Sequence, residues 1–267
     1  MSHRTETDVS RRTYLKLTGG ASAVGLSGVA GCLGDGGSGT TITPGTAPGF
    51  PPFEMQQDGE LVGFDIDLLE AVVEETEYEI GEWATFEFSS LIPALTQNEE
   101  IDVIAAAMTI NDERRETIAF SDPYWESDQA ILVRDGGDFQ PSGWEDFEGV
   151  SVGAQSGTTG ADQVQSNLVE PGVIAEDDAS TYGSYVLAVE DLENGNIDAV
   201  VVDNPVAETF AANRDVTVAF VEETGERFGF GLRQGESELQ SALNDGLATV
   251  QEDGTYEEIT NTWFGQE

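Results

Sequence analysis

The sequence predicts a mixed α/β fold built on a parallel sheet, and three observations support this class. Residues 101–108 form a nearly continuous apolar run, which is typical of a strand buried on both faces. Residues 68–73 place their apolar side chains on one face at the 3.6-residue helical period. A similar helix, turn and strand recurs about a hundred residues later, where residues 191–202 resemble residues 94–105. This repeat favours two lobes built alike, although generic α/β patterning also produces short matches of this kind.

The elements can be followed along the chain from the first strong pattern. Residues 61–64 are strand-like, and Asp65 is expected to cap the helix that follows. Ser89 or Ser90 is expected to cap the next helix, with Pro93 in its first turn, where proline is tolerated. Three further segments complete the pattern, namely a strand at residues 150–154, a helix at residues 160–169 and an apolar strand at residues 199–202.

The 267-residue chain is strongly acidic, with 52 acidic against 10 basic residues and a formal net charge of -42. Its aromatic content of 9% is too high for a disordered acidic chain, so we expect a compact fold. In molar salt the Debye length is only about 3 Å, and we interpret the acidity as suited to such surroundings. The alternative is an ordinary acidic protein that binds a cationic partner. Nucleic acid is not expected as a partner, because its phosphates would be repelled.

Residues 1–31 are interpreted as an export signal rather than as part of the fold. Arg11 and Arg12, followed by Thr13-Tyr14-Leu15-Lys16, precede a mildly apolar run at residues 17–31 that is too short to span a bilayer. This arrangement resembles a twin-arginine signal, which directs already folded proteins across the membrane.

A lipid anchor is expected directly after this signal. Val29-Ala30-Gly31-Cys32 resembles a lipobox, and Cys32 is the only cysteine, with a buried free thiol as the alternative interpretation. Residues 32–40 are rich in glycine and are expected to form a flexible tether between the lipid and the fold. Together with the acidity, these features resemble a haloarchaeal lipoprotein.

Several short motifs resemble one family in both order and spacing. They are Phe50-Pro51-Pro52-Phe53-Glu54, residues 63–68 (GFDIDL), residues 91–95 (LIPAL), residues 108–114 and 120–124, Gly157-Thr158-Thr159, residues 197–205 and residues 254–265. From about residue 41 to its end, the chain thus resembles the extracytoplasmic solute-binding proteins of polar-amino-acid ABC importers, known as family 3.

The resemblance implies a two-lobe periplasmic-binding-protein fold of type II with the ligand in a cleft between the lobes. The first lobe would comprise residues 41–126 and 227–267, and the second lobe residues 127–226. Two hinge strands would join them, near residues 124–129 and 225–228. Closure of the lobes would exclude water and strengthen every charged contact in the cleft.

The same resemblance assigns the two charged ends of an amino acid to two residues. Arg114 matches the carboxylate clamp, for which a planar guanidinium with two parallel hydrogen bonds is suited, and Asn111 is expected to open its turn. A surface pair between Arg114 and an acid such as Glu113 is the alternative. Asp203 matches the acceptor of the ligand ammonium, the alternative being a turn-forming Asp before Asn-Pro.

Thr109 matches a hydroxyl contact in the Arg114 loop, although a residue that merely ends a strand is also compatible. Thr158 and Thr159 are expected at a helix N-terminus, where free N–H groups favour an anion, with simple capping as the alternative or additional role.

Phe50 and Phe88 match aromatic positions that cover the ligand carbon skeleton, with ordinary core packing as the rival interpretation. Ala107 matches a position whose backbone carbonyl faces the ligand. One departure concerns Ala47, because many members carry an acid there, three residues before the aromatic. With no second arginine placed to neutralise an acidic side chain, the sequence favours neutral polar or cationic amino acids over glutamate.

The predicted function is therefore capture of a free amino acid for delivery to ABC importer permease subunits, by a monomer without cofactor or metal. A cyclohexadienyl-dehydratase-like enzyme is the alternative from another class, but His3, in the export segment, is the only histidine. A ligand-sensing domain on the same fold is a further alternative. We expect a binding protein that is not an enzyme, held on the outer face of the cell membrane.

Overall fold

The computed structural model describes residues 39–265 as mixed α/β, with two five-stranded sheets and two small two-stranded ones. The expected export signal, Cys32 and the tether up to residue 38 lie outside the described residues. The first strand begins at Thr40. No helix within residues 39–265 has the length and apolar character needed to cross a bilayer.

The first lobe is defined here as the elements before Trp125 and after Phe228, which surround one of the two five-stranded sheets. These are β1 (Thr40–Ile42), β2 (Pro44–Thr46), β3 (Met55–Gln57), β4 (Glu60–Val62), α1 (Phe64–Glu74), β5 (Tyr78–Ile80), β6 (Ala84–Thr85), α2 (Phe88–Thr96), β7 (Val103–Ile104), α3 (Asp112–Arg115) and β8 (Ile118–Phe120), with β14 (Gly231–Arg233), α7 (Ser237–Asp253) and α8 (Thr255–Phe264) from the end of the chain. Its main sheet has the order β6-β2-β7-β14-β8.

The second lobe contains the elements between these two groups. They are β9 (Trp125–Arg134), β10 (Val152–Gln155), α4 (Thr159–Val164), β11 (Ala179–Tyr182), α5 (Tyr185–Asn194), β12 (Ala199–Asp203), α6 (Asn204–Asn213) and β13 (Val216–Phe228), with short 3-10 turns at Trp144–Phe147 and Glu176–Asp178 and a π-helical turn at Gln165–Val169 after α4. Its sheet has the order β11-β10-β12-β9-β13.

Both sheets are mixed, so the expected parallel pairing is found in only part of each sheet. In the first lobe β2 runs parallel to β6 and β7, whereas β14 is antiparallel to both of its neighbours. In the second lobe β10 runs parallel to β11 and β12, whereas β9 is antiparallel to β12 and β13. The antiparallel pairs involve β9, β13 and β14, the strands that form or follow the connections between the lobes. Parallel pairing is required only where a crossover, usually a helix, joins two neighbouring strands, and these strands are not constrained in that way.

The ends of β9 and β13 form the connection between the lobes. Their pairing continues to Trp125 opposite Phe228, where Tyr124 N donates to Phe228 O and Thr109 of the first lobe forms a bridge to Phe228. Aromatic rings pack around this point, with Phe264 of α8 stacked on Trp125 at a centroid distance of 4.3 Å. The last helix of the first lobe therefore braces the hinge.

Three local expectations were wrong, and for Asp65 the reason is tertiary. Asp65 does not cap α1, because its carboxylate turns into the core to accept hydrogen bonds from Ala107 N and Tyr124 Oη. The next helix begins at Phe88 after Glu87, so neither Ser89 nor Ser90 is its cap, and Pro93 lies beyond its first turn.

The apolar run at residues 101–108 is buried as expected, but only Val103 and Ile104 form a strand. The run leaves the sheet before Ala107, which adopts a left-handed φ of 45°.

Candidate functional site

A small cavity, partly open to solvent, lies between the two lobes and is called the ligand cavity here. Its walls include all eight residues that the sequence predicted, together with four that it did not. The predicted residues are Phe50, Phe88, Ala107, Thr109, Arg114, Thr158, Thr159 and Asp203, and the additional ones are Ala47, Glu54, Ala106 and Gln155. The fold thus brings every candidate side chain to one place, and their roles in binding stay predictions.

Hydrogen bonds from both lobes position Arg114 in the wall of the ligand cavity. Asn111 opens the short helix α3, as predicted, and its Oδ1 accepts a 2.8 Å hydrogen bond from Arg114 N. The guanidinium donates to Thr109 O at 2.7 Å and to Gly157 O of the second lobe at 3.1 Å. Its Cζ lies 5.3 Å from the centroid of the Phe88 ring, within the range of a cation–π contact.

Arg114 is buried, yet it forms no ion pair with an acid among residues 39–265. Within residues 39–265, Arg134, Arg214 and Arg233 form ion pairs, whereas Arg114 forms none, so the alternative of a pair with Glu113 is not observed. The residue is only 8% exposed, and burial lowers the pKa of its guanidinium. The negative charges of nearby acids, Asp162 first, act in the opposite direction on this pKa, but none of these carboxylates pairs directly with the guanidinium. A buried cation without a direct ion pair is a suitable partner for an anionic ligand group.

Asp203 brings a carboxylate from the second lobe to the same cavity. It ends β12 and is 4% exposed, and its Oδ1 accepts a 3.1 Å hydrogen bond from Ser127 Oγ. The side chain makes no capping bond to α6, so the carboxylate is not used to form the turn before Asn204. Burial, followed by the negative charge of Glu226, raises the pKa of Asp203 to about 8.

Glu54 is a second cavity carboxylate, and the sequence did not identify it. Its side chain is 1% exposed and Oε2 has no hydrogen-bond partner among the described residues. Burial, followed by the charges of Asp65 and Asp203, raises the pKa of Glu54 well above its usual range. Its position at the end of the Phe50–Glu54 motif could have identified Glu54 as a cavity residue. An acid in a turn is ordinarily exposed, however, so this position did not indicate burial.

The threonines connect the lobes across the cavity. Thr159 Oγ1 donates to Thr109 Oγ1 at 3.0 Å, and Thr109 Oγ1 in turn donates to Glu226 Oε2 at 2.8 Å. Thr158 caps α4 by accepting from Ala161 N, while its own hydroxyl donates to Gln155 O. Thr158 therefore caps the helix and lines the cavity at once.

Asp65 lies outside the cavity lining and binds the backbone of Ala107, which is part of that lining. Its Oδ2 accepts hydrogen bonds from Ala107 N at 2.7 Å and from Tyr124 Oη at 2.6 Å. Ala107 is a non-glycine residue with a positive φ, a conformation that persists only where its surroundings fix it. Burial raises the pKa of Asp65 to about 7, against the lowering effect of both hydrogen bonds. The local backbone that presents Ala107 to the cavity thus depends on a buried carboxylate.

Comparison with known proteins agrees with this geometry. Residues 42–266 match the family described as bacterial extracellular solute-binding proteins, family 3. The chain is 34% identical to a probable histidine-binding protein of Campylobacter jejuni, over 82% of this chain and 83% of that protein. It is also 34% identical to a putative ABC transporter arginine-binding protein 2 of Escherichia coli K12, over 84% and 90% of the two chains.

A solved structure shows the same fold. An ancestral arginine-binding protein bound to arginine superposes with a TM-score of 0.78 at 38% sequence identity, covering 84% of this chain and 98% of that one. The two-lobe fold inferred from the sequence motifs is confirmed by this likeness. Because the family match spans nearly all of the described residues, the chain belongs to family 3 of the bacterial extracellular solute-binding proteins.

Proposed function

We propose that this chain captures a free cationic amino acid in the ligand cavity and delivers it to the permease of an ABC importer. The observation that carries the proposal is Arg114, a buried guanidinium that faces the cavity without an acidic partner among the described residues. A bound α-carboxylate would supply the counter-charge through two parallel hydrogen bonds.

The two acids of the cavity would interact with the positively charged groups of the ligand. Asp203 would accept the α-ammonium, and Glu54 adds a second buried carboxylate to the same walls. When both acids are ionised, two carboxylates against one guanidinium leave an excess of negative charge, which a ligand with a positive side chain would offset. The relatives named as histidine- and arginine-binding proteins agree with this preference.

The other predicted residues complete the proposed site. Thr109 and Thr159 would contact the carboxylate from the two lobes, beside the capped start of α4 at Thr158. Phe50 and Phe88 would cover the carbon skeleton, and the carbonyl of Ala107 would accept from the ammonium.

We propose a binding role without catalysis, for a monomer exported by its twin-arginine signal and held on the outer face of the membrane by lipid on Cys32. The family supports an extracytoplasmic location, and the lipobox-like sequence before Cys32 supports the anchor. The acidity supports function in concentrated salt.

Thermal unfolding of the mature domain in molar salt, with a panel of amino acids, tests the function. A ligand present at a hundred times its dissociation constant adds about 2.7 kcal/mol of stability. Arginine, lysine and histidine should raise the melting temperature more than glutamine, and glutamate least. No response to any amino acid would contradict the proposal.

A further inference from the structure

A second pocket adjoins the ligand cavity where the cleft opens to solvent. This mouth pocket is open to solvent, has a volume of about 390 Å³, and is lined by Pro48 and residues 85–87 of the first lobe and by Gly183, Ser184 and Leu187 of the second. Ala47 and Gln155 line both the mouth pocket and the ligand cavity. The wall shared by the two pockets therefore consists of one residue from each lobe.

Two chain segments run from one space into the other. Phe88 lines the ligand cavity and the preceding Glu87 lines the mouth pocket. Likewise Phe50 lines the cavity and Pro48 the mouth. A group that passes between the rings of Phe50 and Phe88 therefore meets the wall at Ala47. Alanine is the smallest side chain with a Cβ, whereas an acid would extend across this wall.

The mouth pocket has one charged side chain in its lining. Glu87 is exposed, and although it is the residue that precedes α2, its side chain makes no capping bond and no hydrogen bond or ion pair with any described residue. Its Oε1 approaches the opposite lobe, since a Cβ added at Gly183 would lie 3.3 Å from it. Gln155 donates from Nε2 to Gly183 O at 3.2 Å, which fixes the amide at the junction.

We propose that the mouth pocket is a side-chain subsite, in which a long cationic side chain passes Ala47 and ends against Glu87. The inference rests on the proposed function, because the α-carboxylate at Arg114 and the α-ammonium at Asp203 fix the direction of the side chain. Apolar contacts with Phe86 and Leu187 suit a methylene stem, and the carboxylate suits a guanidinium or ammonium. The subsite accepts side chains as long as arginine or longer.

The test uses ligands that share the α-carboxylate and α-ammonium and differ in the length of the cationic side chain. Titration calorimetry is run with diaminopropionate, ornithine, lysine, arginine and homoarginine on the wild-type domain in molar salt. Gly183→Leu places a side chain in the mouth pocket at a residue that does not line the ligand cavity, and its Cβ meets only the flexible end of Glu87. We expect Gly183→Leu to weaken arginine and homoarginine at least tenfold and to leave diaminopropionate unchanged.

Glu87→Gln tests the charge, with the exposed acid Glu82 as its matched control in Glu82→Gln. Wild type should bind homoarginine more tightly than homocitrulline, its neutral counterpart of equal length, and Glu87→Gln should reduce that preference at least twofold while Glu82→Gln keeps it. Equal effects of Gly183→Leu on short and long ligands, or none on either, would overturn the subsite and leave the proposed function intact. Failure of wild type to bind any of these amino acids would overturn both.

Discussion

Arg114 Nη2 donates a 3.1 Å hydrogen bond to the carbonyl oxygen of Gly157, so a guanidinium carried by the first lobe is bound directly by the second. The same guanidinium is anchored within its own lobe by Thr109 O. The proposed clamp for the ligand is therefore also a contact that forms when the lobes close.

Removal of the guanidinium should weaken ligand binding strongly. We expect Arg114→Ala to weaken amino acid binding by roughly 2 to 5 kcal/mol, or about 30-fold to several thousand-fold, as for truncation of one member of a buried charge pair. Arg114→Lys should recover only part of this loss, because an ammonium does not reproduce the planar fork. Titration calorimetry in molar salt measures the affinities.

Arg115→Ala is the matched control for this change. Arg115 is adjacent in sequence but exposed, with its guanidinium 5.9 Å from the Phe120 ring. Its loss should change affinity little. Equal losses from the alanine variants at 114 and 115 would show that the carboxylate clamp is elsewhere.

Ligand binding should strengthen as pH rises toward 8. The pKa of Asp203 is about 8 in the ligand-free cleft, and an ammonium nearby favours the ionised carboxylate, so binding below that pH requires loss of a proton. Affinity should fall by up to roughly tenfold per pH unit below about 8 and level off above it. Calorimetry between pH 6 and 9 measures this, and Asp203→Asn should bind weakly with a flat profile. A wild-type profile that rises as pH falls would refute the assignment.

The free protein should show the opposite dependence in its stability. Asp65 and Asp203 have folded pKa values of about 7 and 8, above the value of about 3.9 for an unfolded Asp. The folded state therefore binds more protons than the unfolded state between these values, and its free energy of unfolding should decrease as pH rises from about 4 to 8. Chemical denaturation at several pH values, in constant molar salt, gives this slope. Asp65→Asn and Asp203→Asn should each flatten it.

Dilution of salt should unfold the domain. With a net charge of -42 on the full chain, the acids repel one another once the Debye length grows from about 3 Å at 1 M to about 30 Å at 0.01 M. Circular dichroism during dilution should show loss of structure at tens of millimolar salt. An unchanged spectrum and melting temperature would mean that the acidity has another cause.

Cys32→Ser should release the protein from the membrane without weakening ligand binding. The lipid would be lost, while the first strand of the fold begins only at Thr40. Fractionation of cells into membrane and medium, followed by ligand titration of the released protein, measures both effects. A variant that stays with the membrane would place the anchor elsewhere.

The eight site residues were predicted through the family resemblance, which rests on short motifs that are local in sequence. Local patterns gave the elements that carry two of them, namely the turn that Asn111 opens before Arg114 and the apolar strand that ends at Asp203. Both side chains lie at element ends, where short motifs determine position. The eight predicted residues therefore came together once the two lobes had formed.

The remaining features depend on contacts between distant residues. Asp65 looks like a helix cap from its neighbours, but its partner Ala107 is 42 residues away, and only the fold shows that the carboxylate is buried. Glu54 is acidic and lies next to a turn, and nothing local indicates that it is 1% exposed. The strand expected at residues 101–108 ended early because the backbone turns at Ala107.

The order of strands in the first sheet has a consequence for how the chain folds. Strand β14 lies between β7 and β8, yet residues 121–230, including the whole second sheet, separate β8 from it in sequence. Pairings across such separations form slowly, because a long loop must close before any contact is gained. We expect the second lobe, whose strands come from one continuous stretch, to form first. A chain arrested before residue 231 would hold a complete second sheet while β8 lacked its only partner in the first.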